Sequence, residues 1–315
     1  MKPFLHEDRV VFEELITLVA ETKRIPEDAV MRDYYITMLL DNLSKSPYKE
    51  VCVFKGGTSL SKCYPGTINR FSEDIDLTYI DTDDKSEKRI SKDIKKIEKV
   101  MVEGFEFEPI SSERSNLSKS MDVWHVLEDR FSSVKLEIGG RIHPIPTVEK
   151  TIKSYIHEYL IEEKLEYILN DYYFSDKIEL CVLDITRTFI DKVHAVKTQS
   201  LIRNITSKVR HIYDVVRLYE HEEIKTFLSD EEELKKVNKY AKKASEFYVS
   251  KRDFAMTDEL EGKYNLADWR HHMEEPSVRS AYERLHDDLL YTDEKQDFDI
   301  ALKVFEKIDK ILNEL

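Results

Sequence analysis

Asp74 and Asp76 stand one residue apart in the run Ser72-Glu73-Asp74-Ile75-Asp76-Leu77-Thr78-Tyr79-Ile80. In an extended strand, residues i and i+2 share a face. The two carboxylates therefore converge, while Ile75 and Leu77 face a core. Like charges so placed repel unless a cation sits between them. A hard divalent ion answers that need, since Mg²⁺ is typically held by one or two carboxylates together with substrate phosphates. A solvated outer face of an edge strand is the plain alternative. Just upstream, Phe54-Lys55-Gly56-Gly57-Thr58-Ser59 offers the complement. A strand that runs through two glycines into a helix presents backbone N–H groups, and the helix dipole adds positive potential there. Such a turn can cradle phosphate oxygens, or it can be an ordinary tight turn with a cap. Thr58 and Ser59 would add hydroxyl donors.

Two more residues extend the pattern. Glu137, in Val134-Lys135-Leu136-Glu137-Ile138, is a third acid if its strand neighbours the acidic one, and otherwise an exposed partner of Lys135. Ser72, just ahead of the acidic pair, is placed to bind phosphate or to be modified. A phosphate cradle, a same-face acidic pair and a third acid together form the layout of a nucleotidyl-transfer site. There, metal ions bridge the acids and a triphosphate.

These residues need strands to hold them. The pattern predicts strands over Glu50–Phe54, Ser72–Ile80, Trp124–Leu127 and Ser133–Ile138, a short helix from Thr58 to Tyr64, and an amphipathic helix over 84–103. Helices over 8–21 and 27–45 precede them. Seven of the eight prolines and six of the seven glycines lie at or before residue 146, and Gly262 and Pro276 are the only ones beyond it. So long a segment without breakers reads as helical. The expected fold is α+β: residues 1–148 form N-terminal helices and a mixed-sheet domain, and residues 149–315 an all-helical C-terminal domain.

Composition bounds the rest. The chain has 315 residues, of which 41% are hydrophobic and 36% charged, and a net charge of −14. Three scattered cysteines, Cys52, Cys63 and Cys181, point to neither a disulfide framework nor a zinc site and fit a reducing cytoplasm. No apolar run is long enough for a membrane span, and the N-terminus lacks a signal-peptide pattern. Overall acidity argues against general nucleic-acid affinity. Two segments run the other way. Lys85–Lys99 holds seven Lys/Arg against three Asp/Glu, and Asp191–Arg217 holds six against two. Each is either a solvated helix face or a basic surface.

The stretch FKGGTSLSKCY…RFSEDIDL resembles the signature of the AbiEii/AbiGii toxin nucleotidyltransferases of bacterial toxin–antitoxin and abortive-infection (phage-defence) systems. Upstream, PEDAVMRDYYITMLL is similar to a family segment built on Lys-Asp-Tyr-Trp, here Arg32-Asp33-Tyr34-Tyr35. Downstream, RTFIDKVHAV resembles the segment with the family's active-site lysine, which falls on Lys192. RHIYDVVRL resembles the one with a further active-site aspartate, which falls on Asp214. Met31, Arg32, Tyr35 and Thr186 depart from the family pattern at supporting positions. The resemblance implies a nucleotidyltransferase-like fold and Mg²⁺ (or Mn²⁺) and NTP as cofactor and substrate. It implies an RNA acceptor, with tRNA 3′ ends foremost, and a cognate antitoxin. The implied catalytic residues are Asp74, Asp76, Lys192 and Asp214, with Asp74, Asp76 and Glu137 toward metal and Gly56, Gly57, Thr58, Ser59, Ser72 and Lys192 toward the nucleotide. The site is expected to draw on both domains. A protein acceptor, or an inert module that binds NTP and a partner, are the alternatives.

Read from the residues alone, Lys192 is rather a lysine snorkelling from a core edge, and Asp214 rather a salt-bridge partner of Arg210 or Arg217 within helical reach. His194 and His211, one on each predicted helix, read as ordinary buried histidines.

Overall fold

The computed structural model describes residues 2–127, 130–140, 143–250, 265–288, 290 and 295–315. Residues 251–264 of the expected helical tail lie outside that set. By compactness the chain forms two units, one of Met1–Cys63 with Phe71–Val182, the other of Tyr64–Arg70 with Leu183–Leu315.

The first unit opens with helices α1 (Arg9–Lys23) and α2 (Glu27–Ser44), close to the predicted spans. Among the described residues a seven-stranded mixed sheet follows, built of β1 (Cys52–Lys55), β2 (Asp74–Tyr79), β3 (Glu106–Pro109), β4 (Ser118–Leu127), β5 (Arg130–Gly140), β6 (Thr147–Ile152) and β7 (Ile178–Leu183) in the order β3-β4-β5-β2-β1-β7-β6. Its centre carries the candidate chemistry. β1 (Cys52–Lys55) runs antiparallel to β2 (Asp74–Tyr79), with Lys55 opposite Asp76 and Phe54 opposite Leu77. β2 in turn runs parallel to β5 (Arg130–Gly140), which brings Lys135 level with Asp74 and Glu137 level with Asp76. The register is fixed by what must be buried. Val53, Phe54, Ile75, Leu77, Leu136 and Ile138 all lie in the core, and each contributes about 1.5–3 kcal/mol on burial. A slip of one residue would turn the carboxylates inward.

Helix α3 (Gly56–Cys63) starts directly where β1 ends. Helix α4 (Glu87–Met101) buries Ile90, Ile94, Ile97 and Met101, and Gly140 at the end of β5 leaves it room: a Cβ there would lie 3.0 Å from Ile90 Cγ2. β3 (Glu106–Pro109) and β4 (Ser118–Leu127) complete one side.

The other side corrects the reading of everything after residue 148 as helical. β6 (Thr147–Ile152) and β7 (Ile178–Leu183) lie there, separated by α5 (Tyr155–Glu162) and α6 (Ile168–Asp171). β7 pairs in parallel with β1 and buries Ile178, Leu180 and Val182 in strand alternation. A lack of glycine and proline permits a helix; the period-2 pattern Ile-Glu-Leu-Cys-Val dictates a strand. Cys52 on β1 and Cys63 on α3 are buried, and burial pushes both thiols up to about 12, so neither is reactive.

The second unit is helical. It comprises α7 (Ile185–Leu201), α8 (Val209–Tyr219), α9 (Glu222–Ser229), α10 (Glu231–Ser250), α11 (Leu266–Met273), α12 (Pro276–Asp288) and α13 (Phe298–Asn313). Phe189, Val193, Ile212, Val215, Trp269, Tyr282 and Phe305 are fully buried. Trp269 meets Phe305 edge-on at 6.0 Å, and Tyr282 meets Phe298 at 5.4 Å. A single bridge joins Arg70 to Leu290. No described helix is long and apolar enough to cross a membrane.

Candidate functional site

The sheet gathers the predicted acids. Asp74 and Asp76 alternate with buried Ile75 and Leu77 and share one face of β2, and the register sets Glu137 beside Asp76. Lys135 joins them. Its ammonium lies 2.6 Å from Glu113 and 3.7 Å from Glu137. Burial alone would lower its pKa, yet Glu113, Glu137 and Asp74 together raise it. Lys135 is thus the fixed countercharge of the acidic face. Among the described residues, no three histidine, cysteine or acidic side chains close on a point that could hold a metal without further ligands.

The glycine turn is tighter than the sequence reading supposed, because strand passes to helix with no intervening loop. Gly56 makes this possible. Its φ is +86°, and a Cβ there would lie 2.3 Å from Asp76 Oδ2. The Asp76 carboxylate therefore rests against bare backbone at the start of α3. Gly57 follows within the first turn.

The hydroxyls of this turn point elsewhere than expected. Thr58 and Ser59 are buried; Thr58 donates to the Asp74 carbonyl at 2.5 Å and lies 2.9 Å from Ser72 Oγ, and Ser59 donates to the Gly56 carbonyl at 3.0 Å. Thr58 locks the turn to β2, and Ser59 closes the first turn of α3 on itself. The groups left to meet a phosphate are backbone N–H groups at the α3 N-terminus and half-buried Ser72. Residue type was legible here; the direction in which each hydroxyl points was not.

The Arg32-Asp33-Tyr34-Tyr35 segment lies on α2 and divides by direction. Arg32 reaches Glu73, one residue before the acidic pair, at 2.6 Å. Asp33 turns inward, accepts the backbone N–H of Tyr155 at 2.7 Å and pairs with buried Lys62 at the end of α3. Tyr34 and Tyr35 pack among His6, Phe12 and Phe105. Asp33 and Lys62 thus tie α2, α3 and α5 together, which no local spacing signals.

In the helical unit the structure brings Lys192 and Asp214 together, with Lys192 Nζ 2.8 Å from Asp214 Oδ2. It also supplies a partner that sequence reasoning missed. Arg70 donates from Nε and Nη2 to the two oxygens of Asp214, each at 2.7 Å. Asp214 is fully buried, and Arg70 and Lys192 nearly so. Burial opposes ionisation of this carboxyl, but the two cations overcome it and hold it well below the usual carboxylate range. The expected surface partners Arg210 and Arg217 are not its ion-pair partners. No local spacing links Arg70 to its target, which lies 144 positions away.

Histidines 194 and 211 are both held below the ordinary value of 6.5, chiefly by burial. His194 Nε2 lies 2.7 Å from Asn238 Oδ1, whereas His211 Nδ1 is buried without a hydrogen-bond partner among the described residues. Lys192 and Lys208 lower His211 further.

Three outcomes follow from this geometry. Gly56→Ala should cost about 1–2 kcal/mol in backbone strain and also displace Asp76, abolishing activity. Gly66→Ala, also at positive φ but with open space around it, should pay the strain alone; thermal melts beside activity assays separate them. Asp214→Ala removes the buried carboxylate that Arg70 and Lys192 share and should lower stability by about 3–5 kcal/mol by denaturant titration. The unfolded chain takes up protons near pH 6.5 that His194 and His211 refuse when folded, so stability should fall as pH drops through 6.5. His211→Gln should flatten that decline in melting temperature.

The model of the family described as nucleotidyl transferase AbiEii toxin, type IV TA system, matches residues 38–304. None of the curated proteins compared matches the chain. Among solved structures, MenT4, a nucleotidyltransferase toxin from Mycobacterium tuberculosis H37Rv, is 19% identical, with 94% of this chain and 98% of that chain covered at a TM-score of 0.51. JHP933 from Helicobacter pylori is 16% identical over 92% and 93% of the two chains, with a TM-score of 0.48. The likeness to MenT4 is one of fold. The family match takes in the α3 turn, both acids of β2, Lys192 and Asp214, and the chain belongs to the AbiEii family of toxin nucleotidyltransferases.

Proposed function

We propose that the protein transfers a nucleotide from an NTP to RNA, with the 3′ end of tRNA as acceptor, using Mg²⁺ or Mn²⁺, and that a cognate antitoxin restrains it in the cytoplasm. The observation that carries this reading is the meeting of Asp74 and Asp76 on one face of β2 with the glycine-opened start of α3 against Asp76.

The residues fit a hard divalent cation, which takes oxygen donors and tolerates few protein ligands when phosphates supply the rest. Asp74 and Asp76 would hold it, with substrate phosphates as the further oxygen donors. Bound there, it neutralises charge on the triphosphate and favours ionisation of the attacking hydroxyl. The backbone N–H groups at the start of α3 and Ser72 receive phosphate oxygens. Lys192 offsets the negative charge that grows on the leaving group. Asp214 has both oxygens engaged, so its part is to hold Lys192 and Arg70 in place. The acceptor hydroxyl oxygen bonds to the α-phosphorus as the bond from that phosphorus to pyrophosphate breaks. Pyrophosphate departs, and the hydroxyl proton passes to solvent.

The test is incubation of the purified protein with labelled NTPs, Mg²⁺ and total RNA. Label should enter RNA, and Asp76→Asn should lower the rate by about 10²-fold or more, the scale for loss of one charge-stabilising group. Absence of label from RNA with the wild-type protein rejects RNA as acceptor, and label in protein bands would move the acceptor to protein.

A further inference from the structure

The two basic segments have equal net charge but opposite fates. In the second, Lys192 and Lys197 are buried, Lys208, Arg210 and Arg217 are partly covered, and Arg203 alone is fully exposed. Most of that charge is therefore wholly or partly covered within the helical unit. The first lies on α4, and there the cations stand outward.

Six of them, Lys88, Arg89, Lys92, Lys95, Lys96 and Lys99, are exposed. At 3.6 residues per turn they fall within an arc of about 120°, opposite the buried Ile90, Ile94 and Ile97, and extend about 16 Å along the helix axis. The three acids of α4 do not break the stripe. Glu98 is buried and gripped by both Nη atoms of Arg114, each at 2.8 Å. Asp93 is held by Lys85 at 3.1 Å and by the Tyr79 hydroxyl at 3.1 Å. Glu87 at the helix start is half-buried. Of the six exposed cations, Lys96 has an ion pair among the described residues, with Asp93 at 3.3 Å. One neighbour adds to the field. Lys119 is buried next to this face, and its ammonium is pushed down first by burial and then by Arg114 and Lys95.

A stripe of this kind needs explaining on a chain of net charge −14. Solubility does not need it, since acidic surface already supplies that. Elsewhere, exposed lysines alternate with acids: on α10, Lys235 pairs with Glu231 and Lys236 with Glu233. A straight row of exposed cations, one of them paired with Asp93, matches a ligand with regularly spaced negative charge along a line, and a nucleic-acid backbone has that form. We propose that the exposed face of α4 is the docking surface for the phosphate backbone of the RNA acceptor. This rests on RNA being the acceptor, and adds where the body of that RNA is held. Lysine stems without base-reading geometry make the contact sequence-tolerant.

The experiment uses the full chain, wild type and the quadruple variant K88Q/K92Q/K95Q/K99Q, with K235Q/K236Q/K239Q/K243Q on α10 as a charge-matched control. A fluorescein-labelled RNA hairpin with a single-stranded 3′ end is titrated by anisotropy between 50 and 200 mM KCl. The α4 variant should bind at least tenfold more weakly at 50 mM KCl. Its slope of log affinity against log salt should be shallower by about 3, for four contacts at 0.7–0.9 each. The α10 control should match wild type, and all three proteins should melt alike. An unchanged slope in the α4 variant, an equal loss in the α10 control, or no RNA binding by wild type would overturn the proposal. So would polyglutamate of matched charge competing as well as unlabelled RNA, which would point to an acidic protein instead. RNA binding that depends on α4, without label transfer, supports the surface and rejects the transfer reading. Label transfer to RNA with undiminished binding by the α4 variant does the reverse.

Discussion

A carboxylate with no exposure cannot stay ionised without compensation, and Asp214 sets the terms for the chain around it. It needs two cations, and α7 supplies only one, Lys192. The other, Arg70, comes from the first quarter of the sequence. To deliver it, the chain leaves the sheet unit after α3, contributes Tyr64–Arg70 to the helical unit, and returns at Phe71 to form β2. Thr67 and Ile68 are buried along the way, and the Tyr64 hydroxyl donates to the Leu183 carbonyl at 3.4 Å. The acidic strand therefore begins four residues after an arginine anchored by both oxygens of a buried acid. Such pairs add little net stability compared with well-packed apolar residues, but they are costly to break. Their value lies in fixing which residue sits where.

The sheet unit uses steric constraint for the same purpose. Asp76 is placed by a glycine it touches, Thr58 by the carbonyl of Asp74, and Lys135 by three surrounding carboxylates. Removing a Cβ lets a side chain and a helix start share one space, so both point toward the same place without a loop to blur their positions.

What was legible in the sequence follows from distance along the chain. Asp74 and Asp76, β1, β2, β5, α2 and α4 are written in patterns of a few residues, and the structure has them close to where the patterns place them. Glu137 needed one topological fact, the pairing of β2 with β5, which alternation cannot supply. β6 and β7 are hard to read because their segment lacks helix breakers and each strand has only six residues. Arg70 with Asp214 and Lys62 with Asp33 were illegible, being bonds across 144 and 29 positions whose members look like ordinary surface charges. The two basic segments teach the same point: net charge counts side chains, while only packing decides which of them meet water.

The detour of Tyr64–Arg70 also has a meaning in time. A chain emerges from the ribosome N-terminus first and its domains tend to fold in that order. Here the sheet unit is translated as far as β7 while Arg70 still lacks its carboxylate, because α8 has not been made. Contacts so distant in sequence form late. A growing chain with both acids of β2 already synthesised is still without the helix that carries the partner of Arg70. In a family of toxins, the segment that completes this buried ion pair is thus made only after the whole sheet unit.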